Sequence, residues 1–389
     1  MFHFDTLPPL SLYLHFPWCV RKCPYCDFNS HELKSGIPEA AYVEALLADL
    51  EEELPLVWGR KVITLFIGGG TPSLLSPEAL DRLLAGIRAR ITLSPEAEIT
   101  LEANPGTAEQ QRFAEFRAAG VNRLSIGVQS FNEDQLRKLG RIHGRREAIE
   151  AAEMAHRAGF ANFNLDLMFA LPGQTLAQAR DDVATAIALE PPHLSYYQLT
   201  LEPNTAFHHQ PPLLPDDELM WSIHQQGQQQ LATAGYAQYE VSAYAKAGWQ
   251  CRHNLNYWRF GDYLGIGAGA HGKLTDPQRQ RYLRRWKVRH PQEYLAAAGA
   301  QRLAGQSEPD ETEALFEFML NALRLAEGFP LSLLSDHAGL SPAVAEAALR
   351  QAQARGLIES AQGHIRPTVL GYNHLNTLLE MFLAGSETK

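Results

Sequence analysis

The stretch HFPWCVRKCPYCDF (residues 15–28) decides the fold of this chain. Its three cysteines, Cys19, Cys23 and Cys26, have the spacing C-x3-C-x2-C, and the only other cysteine of the 389 residues is Cys251. Three thiols in one loop cannot form a disulfide framework with a single distant partner. Thiolates are soft ligands that suit iron–sulfur clusters or zinc. A structural zinc site usually has four ligands, whereas three thiolates on a four-iron cluster leave one iron free to bind another molecule.

Strand-like and helix-like segments alternate on both sides of this loop. Apolar runs predict six strands, at Ser11–Phe16, Val62–Gly70, Glu98–Pro105, Arg123–Ser130, Asn162–Gly173 and His193–Pro203. Helical periodicity between them predicts helices at about Pro38–Leu54, Ser76–Arg90, Thr107–Ala119, Glu147–Ala158 and Thr175–Leu189. Six β/α units predict an α/β fold, a partial (β/α)6 barrel of the TIM type. Sites in such folds lie at the carboxyl ends of the strands.

The pattern changes after about residue 215, which predicts a barrel domain over residues 1–215 and a smaller domain over residues 216–389. A helix at Asp216–Ala234 precedes a glycine-rich stretch, GDYLGIGAGAHGK (residues 261–273), and the chain is helical from about Glu311. The segment from residue 331 to 368 is typical of a winged helix, with a hairpin at Leu357–Ile365. Its second helix carries few basic residues, which favours packing or a protein contact over DNA binding.

The composition indicates a globular protein without a nucleic-acid partner. Hydrophobic residues make up 45% of the chain, and the net charge of −10 is unfavourable for binding a polyanion. One basic segment, RQRYLRRWKVR (residues 279–289), is typical of a solvated helix face or of a patch that pairs with acidic groups elsewhere in the chain. The amino terminus lacks the pattern of a signal peptide, and clustered thiols suit a reducing compartment, so we expect a cytoplasmic protein.

The cysteine loop resembles the cluster motif of the radical S-adenosylmethionine (SAM) enzymes. The resemblance implies that Cys19, Cys23 and Cys26 hold a [4Fe–4S] cluster whose open iron chelates SAM. In that family the cluster donates an electron to SAM and produces a 5′-deoxyadenosyl radical. The alternatives for the three thiols are a zinc site or three unrelated buried cysteines.

Residues at the ends of successive strands extend the resemblance. GGGTP (residues 68–72), with Gly70 and Thr71, is similar to the site of the SAM amino group in this family. Matching positions imply that Tyr13 and Tyr25 contact SAM, that Glu102 and Gln129 point into its pocket, that Asp166 accepts hydrogen bonds from the ribose, and that Arg141 pairs with the carboxylate.

Within the superfamily the whole chain is similar to the coproporphyrinogen dehydrogenase-like branch, which contains both a decarboxylating enzyme and heme chaperones. The oxygen-independent coproporphyrinogen III dehydrogenases carry a further cysteine where this chain has Phe28, and a longer extension than the eighteen residues before Cys19. Both departures favour a heme chaperone without the enzyme activity. The dehydrogenase is the alternative.

The second discriminating motif is HNLNYW (residues 253–258), which matches an H-N-x-x-Y-W motif of the heme chaperones. The resemblance implies that His253 contacts heme, and imidazole is a common axial ligand of heme iron. A structural histidine is the alternative. We expect Cys251 to be an inert buried thiol rather than a second ligand, and His271 to line the SAM pocket rather than to bind heme.

The expected cofactors are therefore a [4Fe–4S] cluster, SAM and heme. The expected partners are heme-acceptor apoproteins and an electron donor for the cluster, with a transient membrane contact during heme delivery.

Overall fold

Most of the strands belong to one mixed sheet. The computed structural model describes residues 2–34, 36–106 and 111–383. In these residues the strands are β1 (Leu10–Phe16), β2 (Trp18–Cys19), β3 (His31–Glu32), β4 (Val62–Gly69), β5 (Leu93–Ala103), β6 (Arg123–Gln129), β7 (Phe163–Phe169), β8 (His193–Gln198), β9 (Ala237–Glu240), β10 (Ala243–Ala245), β11 (Asp262–Ile266), β12 (His271–Asp276), β13 (Arg281–Lys287), β14 (Leu303–Ser307), β15 (Phe329–Pro330), β16 (Ile358–Ala361) and β17 (His364–Pro367).

Helices cover the outer face of this sheet and build the end of the chain. In the described residues they are α1 (Glu39–Glu53), α2 (Pro77–Arg90), α3 (Phe113–Ala119), α4 (Glu133–Lys138), α5 (Arg145–Arg157), α6 (Leu176–Ala188), α7 (Ala206–His209), α8 (Asp217–Thr233), α9 (Arg252–Trp258), α10 (Pro291–Ala296), α11 (Glu311–Ala322), α12 (Ser332–Ala338), α13 (Glu346–Ala354), α14 (Val369–Asn373) and α15 (Leu375–Glu380). None of them is both long and apolar enough to cross a membrane.

The order of the strands confirms a partial barrel. Within the described residues the main sheet runs β14-β13-β12-β11-β1-β4-β5-β6-β7-β8-β10-β9. Strands β1 and β4 to β8 are the six predicted strands, and they pair in parallel. Strands β9 and β14 are the two edges, so hydrogen bonds do not close the barrel.

The sequence explains why the barrel elements form. Strand β6 is buried along its whole length, as expected for a parallel strand covered on both faces. Helix α2 begins as predicted at Ser76, whose Oγ accepts a hydrogen bond from the amide of Ala79 at 3.2 Å, with Pro77 at the first helical position.

The chain beyond residue 216 contributes to both the barrel and a separate core. Strands β9 to β14 extend the barrel sheet at its two edges, and β11 pairs in parallel with β1. The domain boundary predicted at residues 215/216 therefore assigns strands of the barrel sheet to the second domain. The division into two domains stays a prediction. A second hydrophobic core around Phe318 joins α11 to the final helices and also includes Phe4 and Phe260. The predicted hairpin is formed by β16 and β17.

The glycine-rich stretch forms strands, and one predicted helix is described only in part. The glycine-rich stretch contains β11 and the start of β12, because Gly265 lets the neighbouring strand approach: a Cβ there would lie 2.0 Å from the carbonyl oxygen of His271. The helix predicted from Thr107 is described only as α3, from Phe113, and residues 107–110 lie outside the described part of the chain.

Candidate functional site

The cysteine loop is fixed at both of its ends. Strands β2 and β3 pair Trp18 with His31 and Cys19 with Glu32. The amide of His31 also donates to the carbonyl of Pro17 at 2.7 Å. The intervening residues therefore form a closed loop at the carboxyl end of β1, and its three cysteines are free and partly buried.

The loop covers a cavity of about 220 Å³ at the open end of the barrel, which we call the mouth cavity. Ten of the twelve predicted site residues line it: Cys19, Cys23, Tyr25, Cys26, Gly70, Thr71, Glu102, Gln129, Arg141 and Asp166. Strands β1, β4, β5, β6 and β7 thus deliver the predicted side chains to one place. Tyr13 and His253 are not among its lining residues.

A chain of hydrogen bonds leads to two of the sulfurs. The Nη2 of Arg141 donates to Asn104 Oδ1 at 2.7 Å, and Asn104 Nδ2 donates to Thr71 Oγ1 at 2.9 Å. Thr71 Oγ1 in turn donates to Cys19 Sγ at 3.4 Å, and Arg141 Nη1 donates to Cys23 Sγ at 3.7 Å. These donors are aimed at sulfur and would stabilise thiolates.

The mouth cavity fits a cluster with an anionic ligand beside it. No group of three or more His, Cys, Asp or Glu side chains among the described residues is arranged around one metal ion. A cluster does not need such an arrangement, since each thiolate binds a separate iron. Arg141 Nε is buried and has no hydrogen-bond partner among the described residues, so this guanidinium keeps one donor for a carboxylate.

Glu102 is a half-buried carboxyl group at the end of β5. Its Oε2 accepts a hydrogen bond from the amide of Gly69 at 2.9 Å. Burial, with a smaller contribution from the nearby Asp166, raises the pKa of Glu102 from its ordinary value of 4.5 to about 8. The carboxyl group is therefore mostly protonated at neutral pH.

The glycines of GGGTP are required by the protein itself. Gly69 has a φ of 116°, in the left-handed region, and a Cβ on Gly70 would lie 2.5 Å from the carbonyl oxygen of Trp18. The backbone of the cysteine loop therefore already approaches Gly70 closely.

The far wall of the mouth cavity is held by one hydrogen bond within β7 and another between β8 and β6. Asp166 Oδ1 accepts from Asn164 Nδ2 at 2.7 Å, and burial raises the pKa of Asp166. Gln129 has a φ of 69° at the end of β6, and its Oε1 accepts from the hydroxyl of Tyr197 at 2.7 Å. Such a strained backbone is typical of functional sites. Sequence reasoning did not single out Tyr197, although the end of its strand carried the same polar signal.

A second cavity, of about 760 Å³, lies beside the first, and we call it the lateral cavity. Its wall includes Tyr13, whose hydroxyl is 2.9 Å from Nδ1 of His15. The two cavities share four lining residues: Asp27, Phe28, Gly69 and Glu102. His271 lines the lateral cavity and not the mouth cavity where we expected it. The sequence did not predict that the aromatic side chains of Tyr263 and Trp286 also line the lateral cavity.

His253 lies deeper in the barrel, on α9. Its side chain is 1% exposed, and Nδ1 lies 2.8 Å from Thr64 Oγ1 while Nε2 lies 3.1 Å from the hydroxyl of Tyr257. Thr64 precedes Gly69 by five strand residues, roughly 16 Å at ~3.3 Å per residue. Burial lowers the pKa of His253 to about 3. Both nitrogens are therefore engaged, and the ring borders neither cavity.

Comparisons with known proteins identify the family of the chain. The profile of the Radical SAM superfamily matches residues 13–186, and that of the HemN C-terminal domain matches residues 310–372. The chain is 54% identical over 378 residues to the heme chaperone HemW of Escherichia coli, covering 97% of this chain and 99% of that protein. The chain belongs to the HemW family of radical SAM proteins.

Further relatives support this membership. HemW of Haemophilus influenzae is 51% identical over 97% of this chain and 98% of its own length. Among solved structures, coproporphyrinogen III oxidase (HemN) from E. coli superimposes with a TM-score of 0.82, covering 97% of this chain and 91% of that one at 24% identity. At that identity the likeness shows that the two share a fold.

Proposed function

We propose that this protein is a heme chaperone that binds a [4Fe–4S] cluster, SAM and heme, and passes heme to acceptor apoproteins. The observation that carries the proposal is the 54% identity to a heme chaperone along nearly the full length of both chains. The two adjoining cavities support it, since they provide room for two different ligands beside one cysteine loop.

The mouth cavity supports the assignment of the cluster and SAM. Cys19, Cys23 and Cys26 would hold the cluster, which when bound supplies an electron to SAM. The free donor of Arg141 suits the SAM carboxylate, and the acceptor oxygens of Asp166 suit the ribose. Gly70, Thr71, Gln129 and Tyr25 would complete the walls. Tyr13 borders the lateral cavity instead, so its proposed contact with SAM would have to reach across the shared wall.

Heme ligation by His253 stays a prediction. In the described conformation the ring would have to exchange the hydroxyl of Tyr257 for iron. The proposed electron donor and the transient membrane contact rest on the resemblance alone, as does the cytoplasmic location.

Two assays on the protein with its reconstituted cluster test the proposed function. We expect hemin to bind with a shift of its Soret band, and holo-protein to load a heme-requiring apoprotein. Incubation with SAM, a reductant and coproporphyrinogen III should yield no protoporphyrinogen at enzymatic rates. Decarboxylation at such rates, or the absence of hemin binding, would refute the chaperone assignment.

A further inference from the structure

We propose that heme binds in the lateral cavity with its iron ligated by His271, next to the cluster and SAM. This inference rests on the proposed chaperone function and locates its cargo. It differs from the expectation from the sequence, which assigned heme to His253 and placed His271 at the SAM site.

The lateral cavity has the size and walls for a planar apolar ligand. Its volume of about 760 Å³ lies within the range of roughly 300–1,000 Å³ typical of small-molecule and cofactor sites. Its wall carries the aromatic side chains of Tyr13, Tyr257, Tyr263 and Trp286. Aromatic rings bury large areas against flat partners, and a porphyrin is such a partner.

His271 has the free nitrogen that an iron ligand needs. Its ring makes no hydrogen bond with the residues that the structure describes, and it lies beside Trp286 with ring centroids 6.5 Å apart. His15, the other histidine of this wall, has Nδ1 2.9 Å from Tyr13 Oη and Nε2 2.8 Å from the carbonyl of Asn29. His271 is therefore the better placed of the two to bind iron.

The protonation state of His271 is compatible with ligation. Burial, followed by the positive charges of Arg289 and Arg284, lowers its pKa. A lowered pKa favours the neutral imidazole, the form whose lone pair can bind iron.

The same geometry gives the HNLNYW motif a role that does not require His253 to bind iron. The His253 Nε2 contact at 3.1 Å fixes the hydroxyl of Tyr257, and Tyr257 is the residue of this motif that borders the lateral cavity. His253 is therefore a positioning residue that acts through Tyr257.

The rim supplies a charge for the propionates. Arg289 is exposed, and its side chain makes no hydrogen bond or ion pair within the described part of the chain. A guanidinium can bind a carboxylate through two parallel hydrogen bonds. Asp27, which would repel a propionate, lies on the side shared with the mouth cavity.

The decisive experiment compares His271→Ala, His253→Ala and His290→Ala in protein with a reconstituted cluster. His290 is an exposed histidine near the same rim and serves as the matched control. Hemin is titrated while the Soret and visible bands are recorded, and the cluster absorbance of each variant reports folding. We expect His271→Ala to lose the imidazole-ligated spectrum, with a Kd raised by about tenfold or more, which corresponds to about 1.4 kcal/mol.

Added imidazole should restore the wild-type spectrum of His271→Ala. His290→Ala should match wild type, and His253→Ala should keep the ligation spectrum even where its affinity falls. An unchanged spectrum and Kd in His271→Ala, or imidazole rescue in His253→Ala instead, would overturn the assignment of the ligand and leave the chaperone function standing. A wild-type protein that binds no hemin would overturn both.

Discussion

Glu102 should release a proton when SAM binds. The group has a pKa of about 8 because it is buried, and it borders the cavity proposed to hold the cationic ends of SAM. A neighbouring positive charge favours the carboxylate, so its pKa should fall below neutrality in the complex. At pH 7 a group with this pKa is ~0.9 protonated, and at pH 8 it is about half protonated.

Isothermal titration calorimetry measures this release directly. Between two buffers, the contribution of Glu102 to the difference in the heat of SAM binding at pH 7 should equal ~0.9 of the difference in ionisation enthalpy, falling to about 0.5 at pH 8. Glu102→Gln keeps the size of the side chain and should lower the buffer dependence of the heat by that amount, whereas protons released by SAM itself contribute equally in both proteins. The same buffer dependence in the wild-type protein and in Glu102→Gln would refute the reasoning.

The same pKa shift has a consequence for stability. The native state keeps a proton on Glu102 that the unfolded chain loses above its ordinary pKa of 4.5. The free energy of unfolding should therefore fall as the pH rises from about 4.5 to 8. In Glu102→Gln this contribution to the pH dependence should disappear, which chemical denaturation at several pH values would show.

Three further predictions concern the deeper barrel, the cluster and the shared wall. Glu98 accepts hydrogen bonds from the amides of Arg252 and His253 at 3.1 and 3.0 Å. Glu98→Gln should therefore lower the free energy of unfolding by about 2–4 kcal/mol, whereas Glu44→Gln, at an exposed position, should leave it nearly unchanged. Equal denaturation midpoints for the two variants would contradict this. Cys23→Ala should abolish the cluster absorbance and retain most hemin binding, and hemin binding lost together with the cluster would count against two separate sites. Because the cavities share Glu102, SAM should change the Kd of hemin measurably, and hemin should change the Kd of SAM by the same factor. Identical hemin titrations with and without SAM would show that the two sites are uncoupled.

The barrel and the mouth cavity could be read from the sequence because each signal there is local. A cysteine loop follows β1, and a polar residue stands at the end of each of the next strands. Parallel strands bring such ends to one edge, so order along the chain is enough to predict that Glu102, Gln129 and Asp166 meet.

The lateral cavity could not be predicted in the same way. It exists because β11 pairs with β1, matching Tyr13 with Gly265 across some 250 positions of sequence. Its strands lie in a glycine-rich stretch that a propensity argument assigns to loops. The availability of a histidine is also a tertiary property: His253 is engaged by Thr64 and Tyr257, and no motif reveals those contacts.

Phe28 connects the two cavities and shows what a planar cargo would gain. Its side chain is 58% exposed although it is apolar, and it borders both cavities. Covering a phenylalanine side chain completely is worth about 1.5–3 kcal/mol, so a ligand that covers the exposed part recovers a share of that free energy. Phe28 is also the position at which this chain departs from the dehydrogenases that it resembles. In the structure it provides an apolar contact where the sites proposed for SAM and heme meet. A thiol there would offer less apolar area, which gives the departure a physical reason if the protein holds heme as proposed.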